Sequence, residues 1–262
     1  MIEKYLFIVE GEKTEKTIFG DFFESLGFNI VNCKEKMTND YDIVVSEEEY
    51  VNGVKNIVLI QGPRNRIHDI LLNNNVELSI DNINIETVFG FKPNDFIGIF
   101  WIYDVDHNGD EDIIKMYEKF NDENGNGLLL LSSPCIEVLG SFDDTKEFRG
   151  THLKKYKALL NKYYDSHGFG NVEKYIINNF YKCLLHFLDK NYIDFEDSNI
   201  MNHPYEIIEF INKNNTRIHD DNSVCYRYFS TVVYCAIAYV LGYTKKIDNY
   251  NDFKNYLESK IK

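Results

Sequence analysis

The stretch FIGIFWIY, residues 96 to 103, constrains the fold more than any other, because it is apolar without a break and stops at Asp104. A strand with one wet face alternates apolar and polar residues. A continuous apolar run instead needs cover on both faces, as a central strand of a parallel sheet has. Tyr5 to Val9 (YLFIV) and Leu128 to Leu131 (LLLL) read the same way, and Phe28 to Cys33 and Asn56 to Ile60 are further strand segments. Helical spacing falls between them. Thr14 to Leu26 carries Ile18, Phe19, Phe22, Phe23 and Leu26 on one stripe and closes at Gly27. Arg64 to Leu72 predicts a short helix and Asp110 to Phe120 another. Ser133 and Pro134 have the oxygen cap and first-turn proline of a helix start. Strands interleaved with helices predict an α/β fold with a parallel sheet flanked by helices.

From about Thr151 the pattern turns almost wholly helical: Leu153 to Tyr164, Val172 to Leu188, Tyr205 to Asn212, Val224 to Leu241 and Phe253 to Ile261. The expected organisation is therefore an α/β domain over residues 1–150 and a mainly α-helical C-terminal domain over 151–262. YFSTVVYCAIAYVL, residues 228 to 241, is uncharged but too short to cross a bilayer, so Val224 to Leu241 is expected as a buried core helix and no membrane association is expected.

The net charge of -14 argues against a protein that coats nucleic acid through a broad basic face. It does not exclude nucleic acid as a substrate, since divalent cations can hold phosphates on an acidic surface. Cys33, Cys135, Cys183, Cys225 and Cys235 form no CxxC pair. They read as buried thiols in a reducing cytoplasm. The start, MIEKYLFIVEGE, lacks the pattern of a signal peptide, and the expected location is cytoplasmic.

Two of the apolar strands run into acids: YLFIV into Glu10, and FIGIFWIY into Asp104 and Asp106. Carboxyl ends of strands line the ligand crevice of an open α/β sheet. Hard carboxylate oxygens there suit Mg²⁺ or Mn²⁺, completed by water and substrate phosphates. The three acids are expected to converge at one edge, within about 10 Å, the span one hydrated cation bridges. DVDHNG, residues 104 to 109, also looks like the opening of a calcium loop. Lys115 stands where that loop needs its bidentate acid, and a strand precedes it in place of a helix. A DxD phosphatase of the haloacid-dehalogenase kind is a further reading, supported by Asp143 and Asp144, but it leaves Glu10 without a role.

FIVEGEKTEKTIF resembles the first motif of Toprim proteins, above all the RloB-like and abortive-infection branch with its VEGEKTE signature. IYDVD resembles the DxD of the same fold. SSPCIE resembles that branch's S-N-P-C-F-E segment, with Ser133 in place of the Asn and Ile136 in place of the Phe. The three motifs stand in the same order over residues 5 to 140. The resemblance implies a Toprim-like sheet and a metal-dependent nuclease related to that of the OLD family, acting on RNA (tRNA among the candidates) or DNA in phage defence. It assigns catalysis to Glu10, Asp104 and Asp106, metal binding to these three with Glu137, and substrate binding to Gly11 and Lys13. Glu12 and Glu15, like Glu137, also fit as acids at helix N-termini. Mg²⁺ or Mn²⁺ is the implied cofactor and nucleic acid the implied substrate, with an ATPase partner protein and oligomerisation both compatible. The alternative is a defence component that binds metal or nucleotide without cutting.

If the acids serve a metal, Asp104→Ala and Asp106→Ala are expected to abolish cleavage while leaving the melting temperature unchanged or slightly raised in chelator. If they serve as hydrogen-bond acceptors, the same changes are expected to cost about 0.5–2 kcal/mol.

Overall fold

The computed structural model describes residues 2–11, 13–33, 50–61, 86, 91–105, 110–133, 135–141, 153–195, 206, 216–217, 224–225, 229–245, 247 and 249–261. The expected helices at 64–72 and 205–212 lie outside these, apart from the helical Glu206.

The described strands are β1 (Lys4–Val9), β2 (Asn29–Cys33), β3 (Asn56–Gln61), β4 (Gly98–Asp104), β5 (Asn121–Asp122), β6 (Gly127–Ser133), β7 (Thr216–Arg217), β8 (Val224–Cys225) and β9 (Ser230–Thr231). The described helices are α1 (Thr14–Ser25), α2 (Asp110–Lys119), α3 (Leu153–Ser166), α4 (Val172–Asn178), α5 (Phe180–Phe195), α6 (Tyr234–Lys245) and α7 (Tyr250–Glu258). The main sheet has the order β2-β3-β1-β4-β6-β5, and β9 also pairs with β6. The β1–β3, β1–β4 and β2–β3 pairs are parallel, while β5 and β9 run antiparallel to β6. The protein is thus α/β with a mostly parallel mixed sheet flanked by helices. β7 and β8 form a separate antiparallel pair.

The chain divides into two compact units, one of Met1–Ile102 with Asn108–Leu129, the other of Tyr103–His107 with Leu130–Lys262. In the first, the apolar stripe of α1 packs Phe19 and Phe23 on Phe7 of β1, with ring centroids 5.8 and 5.0 Å apart, and Phe100 of β4 lies 5.1 Å from Phe7. Gly27, at φ 83°, ends the helix, its amide donating to the Glu24 carbonyl at 2.9 Å. Asn56 is fully buried at the start of β3. Its Nδ2 donates to the carbonyls of Glu3, Val51 and Val54, and its Oδ1 accepts from Asn29 Nδ2 at 2.8 Å and from the Val51 amide at 3.0 Å. Trp101 donates from Nε1 to the Asn126 carbonyl at 2.8 Å and stacks obliquely on Phe120. Gly127, at φ 103°, lies so close to the indole that a Cβ there would collide with it.

In the second unit α6 is apolar around nearly its whole circumference from Tyr234 to Leu241, as a core helix must be. It begins at Tyr234, ten residues later than the expected start at Val224. Val224–Cys225 and Ser230–Thr231 are strand residues instead, and Ser230 pairs with Ser133 and Thr231 with Ser132. The β-branched and hydroxyl residues before Tyr234 explain the difference: Ser132 and Thr231 share a 2.8 Å hydroxyl hydrogen bond, and buried Asn191 of α5 donates to the Thr231 carbonyl and to the Tyr234 hydroxyl. The expected helix from Val172 to Leu188 is two helices, α4 and α5, parted at Asn179. The helix expected from Ser133 and Pro134 is a short 3-10 turn at Ile136–Gly140. Cys135 precedes it in extended conformation, no side chain caps it, and Ser133 remains in β6. Among the described residues no helix is long and apolar enough to cross a membrane.

Candidate metal centre

β4 carries its apolar run through to Asp104, which is only 7% exposed. A carboxylate so placed needs partners, since burying it alone is costly. One partner is the backbone of the following motif, where the Ile136 amide donates to Asp104 Oδ1 at 2.8 Å. The 3-10 turn buries Ile136, Val138 and Leu139 and leaves Glu137 half-buried. Gly140 lets this turn approach α4, because a Cβ there would strike Val172, and the Tyr164 hydroxyl donates to its carbonyl. The turn is held from two sides.

The consequence is a buried group of three ligating side chains. Asp104, Cys135 and Glu137 each offer an atom, and these atoms all lie within 4.8 Å of one another. Burial pushes the Cys135 thiol well above its usual range, and the neighbouring Glu137 and Asp104 carboxylates push it further. Lys157, on α3, places Nζ 3.3 Å from Glu137 Oε2. Burial works to lower the Lys157 pKa, but the negative groups Cys135, Glu137 and Asp104 outweigh it and hold the amine above its ordinary range. While the thiol keeps its proton, only the two carboxylates act in that direction. Beside Lys157, the Tyr156 hydroxyl meets Ser141 Oγ at 3.0 Å and fixes α3 against the end of the turn.

The donor chemistry of this group suits a cation. Asp104 and Glu137 are hard oxygen ligands, and Cys135 is a soft one once deprotonated. The group is positioned to bind a metal ion.

Of the residues singled out in the sequence, the structure brings together Asp104 and Glu137. Glu10 follows β1, half-buried, and its amide donates to the Ile102 carbonyl at 3.1 Å. Lys13 is exposed at the start of α1, where its carbonyl accepts the Thr17 amide and hydroxyl. Gly11 lies under the Glu15 carboxylate, which occupies the place a Cβ would take, and Glu15 itself is buried in the first turn of α1. Asp106, Glu12, Asp143 and Asp144 lie outside the described residues.

Cys135 and Lys157 are the members that sequence reasoning passed over. Cys135 stands two residues before Glu137 within SSPCIE, but a search for CxxC pairs discards it. Lys157 is one of many lysines on helical stripes and carries no signal. Cys183 and Cys235 are, like Cys135, buried. No family model, no curated protein and no solved structure matches the chain.

Proposed function

We propose that this chain is a metal-dependent nuclease that hydrolyses phosphodiester bonds in RNA, tRNA among the candidates, or in DNA. The reading extends to a Toprim-like catalytic sheet and a cytoplasmic effector role in phage defence, with an ATPase as a fitting partner. The observation that carries it is the meeting of Asp104 and Glu137. These acids come from two separate motifs, IYDVD and SSPCIE, and their ligand atoms share one buried group.

Asp104 and Glu137 would hold the cation, with Asp106 and Glu10 added on the strength of the motif resemblance. A bound divalent cation would neutralise the scissile phosphate and supply a water of lowered pKa. The Ile136 amide fixes the orientation of the Asp104 carboxylate, so a ligand there costs little reorganisation. Lys13, exposed at the start of α1, would meet a phosphate oxygen on the strength of the same resemblance. Glu10 would accept a proton from the attacking water. A net charge of -14 fits a protein that approaches phosphates through cations and not through a basic face.

The Lys157–Glu137 ion pair favours a second reading. An ammonium already neutralises one of the ligands, as in a component that binds metal or nucleotide without cutting.

Incubating the purified chain with Mg²⁺ or Mn²⁺ and end-labelled tRNA, single-stranded DNA or duplex DNA separates the two. The nuclease reading expects cleavage of at least one substrate, lost with chelator and in Asp104→Asn and Glu10→Gln. Metal-loaded, folded protein that cuts none of them leaves the second reading. Cleavage that persists in Asp104→Asn without metal overturns both.

A further inference from the structure

The three ligand atoms come from two places in the chain that the fold locks together. Asp104 ends β4, Cys135 and Glu137 flank Ile136, and the Ile136 amide holds the Asp104 carboxylate. The thiol is therefore part of the group's frame and not a neighbour by chance. On one common ion a sulfur and an oxygen sit about 3.6 Å apart, given metal–sulfur and metal–oxygen lengths of about 2.3 and 2.1 Å. The atoms lie within 4.8 Å of one another, so an approach of about 1 Å brings them to that spacing.

Charge balance selects among the ways of filling the group. Without a cation, two carboxylates and the Lys157 ammonium leave one negative charge over, with the thiol neutral. A divalent cation held by the carboxylates alone leaves one positive charge over. A divalent cation that also takes Cys135 as thiolate makes the set neutral. Uncompensated charge in a buried site is costly, so the third arrangement is favoured. A coordinating thiol gives up its proton to solvent when the metal binds. Thiolate ligation, in turn, discriminates against Mg²⁺, which demands oxygen ligands and keeps its waters.

We infer that Asp104, Cys135 and Glu137 form a three-ligand site for a divalent transition cation of the Zn²⁺ or Co²⁺ kind, with Cys135 as a thiolate ligand, in preference to Mg²⁺. The inference rests on the preceding proposal only in taking this group for the metal centre. It names the ion the centre selects and adds a ligand from outside the carboxylate set.

Titration of the full-length chain with Co²⁺, in the presence of a non-chelating reductant, tests it directly. The expected result is a thiolate-to-cobalt charge-transfer band in the near ultraviolet that saturates at one Co²⁺ per chain. Excess Mg²⁺ leaves the band in place. Cys135→Ser removes it, while Cys183→Ser and Cys235→Ser retain it. Glu137→Gln weakens Co²⁺ binding by more than about tenfold. Wild-type protein that binds no Co²⁺, or binds it without a thiolate band, overturns the inference, and so does a band that survives in Cys135→Ser. A wild-type chain without the band overturns the inference by itself, so a variant that folds poorly does not rescue it. The two proposals fail separately. Mg²⁺-supported cleavage with no thiolate band sinks this inference and leaves the nuclease, whereas a thiolate band with no cleavage of any nucleic acid does the reverse.

Discussion

Lys157 Nζ lies 3.3 Å from Glu137 Oε2, so an internal ammonium neutralises one of the acids a cation would use. Metal and lysine are therefore thermodynamic rivals for Glu137. Lys157→Met should leave the carboxylates uncompensated and lower stability without metal, by about 1–3 kcal/mol, since Glu137 is only 15% exposed. The same variant should bind Mn²⁺ more tightly and gain more in melting temperature from it than the parent does. Thermal scans with chelator and with Mn²⁺ measure both. An unchanged metal-induced shift would show that the lysine does not compete.

Asp104 both accepts the Ile136 amide and offers a ligand oxygen, so alanine and asparagine separate its two roles. Asp104→Ala leaves a buried N–H without its acceptor and should lower stability by about 1–3 kcal/mol. The expectation that a metal ligand can be removed at no cost leaves this hydrogen bond out. Asp104→Asn can keep the acceptor while losing the charge. It should stay near parental stability in chelator and yet show no metal-induced rise in melting temperature. Urea denaturation with and without metal distinguishes the pair, and equal losses for both variants would count against the metal role.

Gly11 leaves room for the Glu15 carboxylate. A methyl at position 11 must displace the buried Glu15 carboxylate, at a cost on the order of 1 kcal/mol. Glu15→Ala removes the obstacle, so the double variant should be more stable than the sum of the two single changes predicts. Strict additivity in denaturant titrations would mean the two residues do not interfere.

Gly127 should tolerate alanine far less well. Its φ of 103° disfavours any side chain, and the indole of Trp101 fills the space a Cβ would take. A loss of about 1–3 kcal/mol is expected from overpacking alone. Because the contact is aromatic, the change should also alter the near-ultraviolet signal of Trp101, the only tryptophan in the chain.

The α/β frame is legible in the sequence where one signal dominates. YLFIV and FIGIFWIY are apolar throughout and have no good use except as covered strands, and the stripe from Ile18 to Phe23 followed by Gly27 marks α1 closely. Reading fails where tertiary partners decide. Val224 to Tyr234 looks helical by apolar content. The hydroxyls of Ser230 and Thr231, which find Asn191 and Ser132 far away in the chain, turn part of it into strand. The candidate site shows the same division. Asp104 is visible because an apolar strand runs into it, and Glu137 because its motif is recognisable. Cys135 and Lys157 become part of the site only through the 3-10 turn and α3, which no local pattern announces.

The buried amide of Asn56 has a consequence for how β1, β2 and β3 find one another. Parallel strands are not joined by tight turns, so no hairpin dictates which residue faces which. Runs such as KYLFIV and NIVLIQ are apolar enough that sliding by two residues would still bury oily side chains on both faces. Such a slip would drag Asn56 away from Asn29 of β2 and from Glu3 beside β1, leaving it only the local bonds to Val51 and Val54 that travel with it and part of its amide unmatched in a dry interior. One polar side chain thus acts as the alignment peg of an otherwise greasy and self-similar set of strands. Asn56→Leu, which keeps the bulk and removes the peg, should yield a protein that still collapses but populates more than one strand alignment, visible as peak doubling in amide NMR spectra.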